Sequence, residues 1–162
     1  MIYIIVAIMV IAADIITKII AENSLMPVGT IPIIKDIIHL TYVENRGIAF
    51  GMFSGGRIIF IIVSLFVLAI LGVVIYKEKE ELRSRWMKTG GVLIFGGAIG
   101  NLIERIYKGY VVDFIDFRII DFPVFNIADI AVCTGAALLV IHFLFTEDKV
   151  SETTETEEND NE

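Results

Sequence analysis

Residues 58–76 read IIFIIVSLFVLAILGVVIY, an apolar run without a single charge. A helix crossing a hydrocarbon core of ~30 Å needs about 20 mostly apolar residues, and this run has that length. Three more runs match it, roughly 2–20, 88–106 and 126–145, but each of these carries ionisable side chains. Apolar residues make up 56% of the 162-residue chain, more than a water-soluble domain of this size carries. The expected fold is an all-α polytopic membrane protein with four transmembrane helices, forming a single membrane-embedded domain over residues 1–145. The first run lacks the basic leader of a secretory signal, so it reads as a retained helix.

The net charge of −7 belongs to the C-terminus. From Glu147 onward eight acids stand against Lys149 alone, and the rest of the chain is neutral. Residues 146–162, TEDKVSETTETEENDNE, are polar and without aromatics, and read as an acidic disordered cytoplasmic tail. One cysteine, Cys133, cannot build a disulfide framework. His39 and His142 lie far apart and no HExxH occurs. No metal, cofactor or nucleic-acid partner is expected, and the chain is expected to be a monomer.

Orientation follows from Lys and Arg in short connections. Residues 77–88, KEKEELRSRWMK, hold five: Lys77, Lys79, Arg83, Arg85 and Lys88. The connections 21–57 and 107–125 hold three and two in longer stretches. Residues 77–88 are therefore expected in the cytoplasm with both termini, the other two connections facing outward. Within the first of these, TIPIIKDIIHLTYV (30–43) is rich in β-branched residues and predicts two short strands around Lys35-Asp36, a small sheet at the outer surface. The glycine-rich ENRGIAFGMFSGG that follows reads as a re-entrant or interfacial segment.

This topology gives the polar residues a depth. Asp14 lies ~18 Å along the first span at 1.5 Å per residue, in the outer half, with Lys18 one turn further on the same face. The third span ends outward in GNLIER, with Asn101, Glu104 and Arg105. The fourth begins there with Asn126 and Asp129, just after VVDFIDF with Asp113 and Asp116. Inserting a central Asp or Lys costs roughly 2.5–3.5 kcal/mol, so charges inside a membrane usually face the bundle interior and mark a site. Each set also has a structural reading. Asp14–Lys18 fits a helix-surface ion pair, Asn126 with Asp129 fits a capping box, and Asp116 and Asp121 fit interfacial acids. Gly96–Gly100 and Ala131–Gly135 have small-xxx-small spacing for close helix packing.

Two carboxylates at one wet spot can share a proton. The ionised acid then takes a proton from water while the other polarises a scissile carbonyl. The residues alone do not choose between Asp113 and Asp116 as partner of Asp129. Asn101, Arg105 and Asn126 are placed to hold backbone carbonyls and orient the acids. A serine or zinc protease finds no matching set: His142 is at the inner end of its span, and Ser64 is mid-membrane. Two alternatives outside proteolysis are a small proton- or ion-coupled transporter, which would use the same buried charges as a relay, and a structural subunit whose charges register helix packing.

Five motifs in order resemble lipoprotein signal peptidase, also called signal peptidase II, over about residues 10–145. ADIITK carries Asp14 and Lys18. ENRGIAFGMF matches at Asn45, Gly47, Ala49 and Phe50. GNLIER matches at Gly100, Asn101 and Arg105, and VVDFIDF and FNIAD complete the set. The resemblance implies that Asp113 and Asp129 are the catalytic pair. It implies supporting positions at Asp14, Lys18, Asn45, Gly47, Asn101, Arg105 and Asn126. It further implies an aspartic endopeptidase of the bacterial cytoplasmic (inner) membrane with its active site near the outer surface, beneath an extracytoplasmic β-rich cradle. The implied substrate is a diacylglyceryl-modified prolipoprotein, cut just before the lipidated cysteine, with membrane lipid as a further partner. One position departs: the third box usually ends Asp-Arg, and here the acid is Glu104.

Overall fold

A computed structural model of the chain describes residues 1–47, 56–77, 84–120 and 122–159, without the side chains of 56, 75–77 and 145–159. The re-entrant segment with Ala49 and Phe50, the basic positions Lys79 and Arg83, and Asp121 lie outside the described residues. Four long helices and three strands follow in the order α1 (Ile2–Leu25), β1 (Thr30–Ile34), β2 (Ile38–Asn45), α2 (Gly56–Lys77), α3 (Arg85–Tyr107), β3 (Val111–Phe117) and α4 (Ile127–Asn159). Three of the helices are long and apolar enough to cross a membrane: Ile2–Leu25, Arg57–Val74 and Ile127–Leu144, with mean hydropathies of 2.5, 2.9 and 2.1. α3 is diluted by Arg85, Lys88, Glu104, Arg105 and the glycines 90, 91, 96, 97 and 100, although it lies in the same bundle. α4 runs on as helix to Asn159, through acidic residues whose composition gave no reason to expect order. Extending an existing helix needs no new nucleus.

Burial is inverted relative to a water-soluble protein. Ile4, Ile5, Ile8 and Met9 on α1 and Ile62, Val63, Leu65 and Phe66 on α2 are exposed, whereas Asp14, Lys18, Asn126 and Asp113 are at most 1% exposed. Apolar side chains outside and charges inside are what a hydrocarbon solvent selects. α3 is the central helix, packing against α1, α2 and α4. Glycine makes this possible. A Cβ on Gly90 would lie 2.7 Å from the carbonyl oxygen of Gly135, and one on Gly135 2.5 Å from that of Gly90, so α3 and α4 cross backbone to backbone. On its other side α3 meets α1 through Gly96, against Val10, and Gly100, against Asp14.

The strands form one antiparallel sheet, β1-β2-β3. The expected hairpin turns at Lys35-Asp36, with Asp36 at φ 61, a conformation Asp tolerates better than most residues. The third strand, VVDFIDF, was not expected. It pairs with β2 from Ile38↔Phe117 to Asn45↔Val111 and is tied to the start of α4 by an Ile115↔Phe125 bridge. The sheet is seated on the end of α1, where Val112 and Phe114 bury against Ala21 and Leu25.

Candidate active site

The strand geometry of β3 separates the two acids that sequence spacing left equivalent. Side chains alternate across a strand, so positions three apart point to opposite faces. Asp116 accepts hydrogen bonds from the Thr41 hydroxyl (2.6 Å) and the Arg118 Nε (2.9 Å), and these hold its carboxyl below the usual range. Asp113 lies on the opposite face, turned towards the start of α4. Its Oδ1 accepts from Asn126 Nδ2 at 2.5 Å and its Oδ2 from Asn45 Nδ2 at 2.8 Å. Burial, reinforced by the charge of nearby Asp129, pushes Asp113 up to about 6 against the hydrogen bonds from Asn45 and Asn126.

Asp129 sits in the first turn of α4, half-buried. Its Oδ2 accepts from the Asn126 backbone N–H (3.2 Å) while its own N–H donates to Asn126 Oδ1 (3.0 Å), a reciprocal capping box. Its Oδ1 accepts from Asn101 Nδ2 at 2.8 Å. The capping reading of Asn126 and Asp129 therefore holds alongside the clustering with Asp113.

Each asparagine is oriented by a group that can only donate. Lys18 Nζ donates to Asn101 Oδ1 (2.8 Å), the Asp129 N–H to Asn126 Oδ1, and the Gly47 N–H to Asn45 Oδ1 (2.8 Å). In all three the amide NH₂ is then turned towards a carboxylate. Gly47 makes its contact from φ +77, the left-handed region that glycine enters freely.

Beneath the acids lies a buried ionic layer. Lys18, 1% exposed, donates to Asp14 Oδ2 (2.7 Å) and Asn101 Oδ1 and forms an ion pair with Glu104 Oε2 (3.4 Å). Asp14 also accepts the Ala128 N–H at 3.0 Å, so an acid on α1 caps α4 and the pair is no helix-surface bridge. Glu104 uses the reach of its extra methylene: Oε2 accepts the Val112 N–H (2.9 Å), one residue before Asp113, and Oε1 pairs with Lys108 (3.0 Å). Lys108 continues to Glu22 at 2.7 Å. Arg105 is half-buried at the edge, its guanidinium acting electrostatically on Asp129 and Asp113 and stacked 5.0 Å from the centroid of Phe60.

The nine residues expected as catalytic pair and supporting positions thus lie in one contiguous assembly. Phe60, Lys108 and Glu22 were not singled out. A phenylalanine inside a clean span and a charge pair linking residues far apart leave no local signal.

Comparisons with known proteins give the family. A family model described as signal peptidase (SPase) II matches residues 6–145. The chain is 47% identical over 152 residues to the lipoprotein signal peptidase of Halothermothrix orenii, covering 94% of this chain and all of that one. It is also 47% identical over 149 residues to that of Clostridioides difficile, covering 92% and 99%. A solved bacterial membrane enzyme superposes with TM-score 0.79 at 34% identity, covering 91% of this chain and 90% of the other. With that match over most of its length, the chain belongs to the signal peptidase II family, whose members are lipoprotein signal peptidases.

Proposed function

We propose that the chain is an intramembrane aspartic endopeptidase in which Asp113 and Asp129 activate water to cut a diacylglyceryl-modified prolipoprotein just before its lipidated cysteine. The observation that carries this reading is the pair itself: two carboxylates from different elements, each taking amide N–H bonds, one buried and pushed up to about 6, the other half-open to solvent. Asp113 is the better holder of the shared proton because burial disfavours its charge. Asp129 takes a proton from water as the water oxygen attacks the carbonyl carbon, and Asp113 gives its proton to the carbonyl oxygen. On collapse the C–N bond breaks, Asp129 returns its proton to the leaving nitrogen, and Asp113 recovers one from the diol. Asn101, Asn126 and Arg105 hold the acids and the reacting carbonyl in register.

In this reading all four helices span the bacterial inner membrane as a monomer, with both termini cytoplasmic. The acids lie near the outer surface, where a lipidated cysteine sits at the headgroup boundary. Its acyl chains lie between helices and the signal helix in the bundle groove.

The test is cleavage of a diacylglyceryl-modified prolipoprotein by the purified protein in detergent. Wild type is compared with Asp113→Asn and Asp129→Asn, with an unlipidated substrate and with a metal chelator. Cleavage by wild type alone, of the lipidated form alone and unaffected by chelator is the expected result. Cleavage by both variants at the wild-type rate would sink the dyad and leave Asp129 a helix cap.

A further inference from the structure

We propose that Phe60 is a positioning residue for the cleavage reaction, its ring forming the shared wall that holds both Arg105 and the Asn45–Gly47 turn against the two acids. The inference rests on the reading that Asp113 and Asp129 do the chemistry.

Phe60 lies early in α2, a helix whose other side chains are turned largely outward: Ile58, Ile59, Ile62 and Val63 are all exposed, and Phe60 is half-buried. Three residues before it, on the same face, Arg57 Nη2 donates to the Ile106 carbonyl at 2.5 Å. This anchors the start of α2 to the end of α3, and so sets the ring beside the last turn of α3. There the guanidinium of Arg105 stands 5.0 Å from the ring centroid. A ring face attracts a cation through its quadrupole, which an aliphatic side chain of equal bulk does not offer.

On another side the ring abuts Gly47 so closely that a Cβ there would overlap Phe60 Cε2 and Cδ2. From Gly47 the connection is short: its N–H orients the Asn45 amide, and that amide donates to Asp113. One ring therefore stands behind two arms. The first is a cation in electrostatic reach of both acids. The second is an amide bonded to one of them. Neither arm makes Phe60 catalytic, since it touches no reacting group.

Arg105 held in place favours the ionised form of Asp113, and releasing it moves the titration of Asp113 upward. The experiment measures kcat and kcat/KM against pH for wild type, Phe60→Leu, Phe60→Met and Phe60→Tyr on the lipidated substrate in detergent, with thermal unfolding of each. Leu and Met keep the bulk and lose the ring face; Tyr keeps it. Expected is a fall in kcat of roughly ten-fold for Leu and Met, a shift of the alkaline limb of kcat/KM to higher pH, and a Tyr variant with the wild-type limb. In an Arg105→Gln background, Phe60→Met produces no further shift. A folded Met variant with the wild-type pH profile overturns the proposal, whatever Leu does to folding. So does a Tyr variant that folds and shifts like Met. If Asp113→Asn and Asp129→Asn are inactive in the same assay, that failure belongs to Phe60 alone. If they cut normally, the dyad reading has failed.

Discussion

At Asn45 the side chain is held from behind by the Gly47 N–H and donates forward to Asp113, so Asn45→Ala removes a bond that favours the ionised carboxylate. The sign follows: Asp113, already raised to about 6, rises further. The pair keeps its shared proton to higher pH, and the alkaline limb of kcat/KM moves up by about one unit or less. A pH–rate profile checks this. Asp116→Asn is the contrasting case. Its carboxylate belongs to Thr41 and Arg118 on the far face of β3, so initial rates on lipidated substrate stay near wild type. Glu104→Gln takes one of two carboxylates from Lys18 and from Lys108, which keep Asp14 and Glu22, so it costs less than the about 3–5 kcal/mol of leaving a buried charge unpaired. Thermal unfolding in detergent should fall accordingly, and by more than for Glu104→Asp, which keeps the charge but not the full reach. At this scale the sequence was legible wherever a polar side chain interrupted an apolar run, as at Asp14, Lys18 and Asp129. It was silent on Phe60, since a ring that holds an arginine and a ring that faces lipid are written alike.

The helices were readable from length and hydropathy, and the β1–β2 hairpin from its β-branched residues on either side of Lys35-Asp36. β3 was not. VVDFIDF has its acids three apart, a spacing that suits a helix face. Its strand burial is nearly continuous from Val111 to Phe114, because β3 is central in the site and lacks the alternation of a half-solvated strand. That missing strand is also why Asp113 and Asp116 could not be told apart. The small-residue spacings were legible as close packing, but not their partners: Gly96 and Gly100 meet α1, and Gly135 meets Gly90. Two substitutions separate these roles. Gly135→Val forces the Gly90 carbonyl away and overpacks a seam, costing roughly 1–3 kcal/mol or more, and should lower both thermal stability and cleavage. Gly72→Ala, with nothing within 4 Å of the added Cβ, should leave both unchanged.

For the molecule as a whole, polarity is turned inside out, and this was visible from composition alone. The charged tail had concealed it in the net charge. Orientation rests on the basic connection before α3, and a labelling experiment reads it directly. With Cys133 replaced by alanine, Lys35→Cys in the exposed β1–β2 turn should react with a membrane-impermeant thiol reagent in intact cells. Trp86→Cys, exposed at the start of α3, should react only after permeabilisation. The reverse pattern would place the acids on the cytoplasmic side. The backbone-to-backbone crossing of Gly90 and Gly135 carries a last consequence, in the language of motion. Helices interlocked at a carbonyl's distance cannot slide or roll past one another without collision, so the seam of α3 and α4 resists any motion that shifts Asn101 along Asp129. α2 leans on α3 and makes little contact with α1. A sideways opening of the bundle therefore falls to α2, and it carries Phe60 away from Arg105 and Gly47 as it opens.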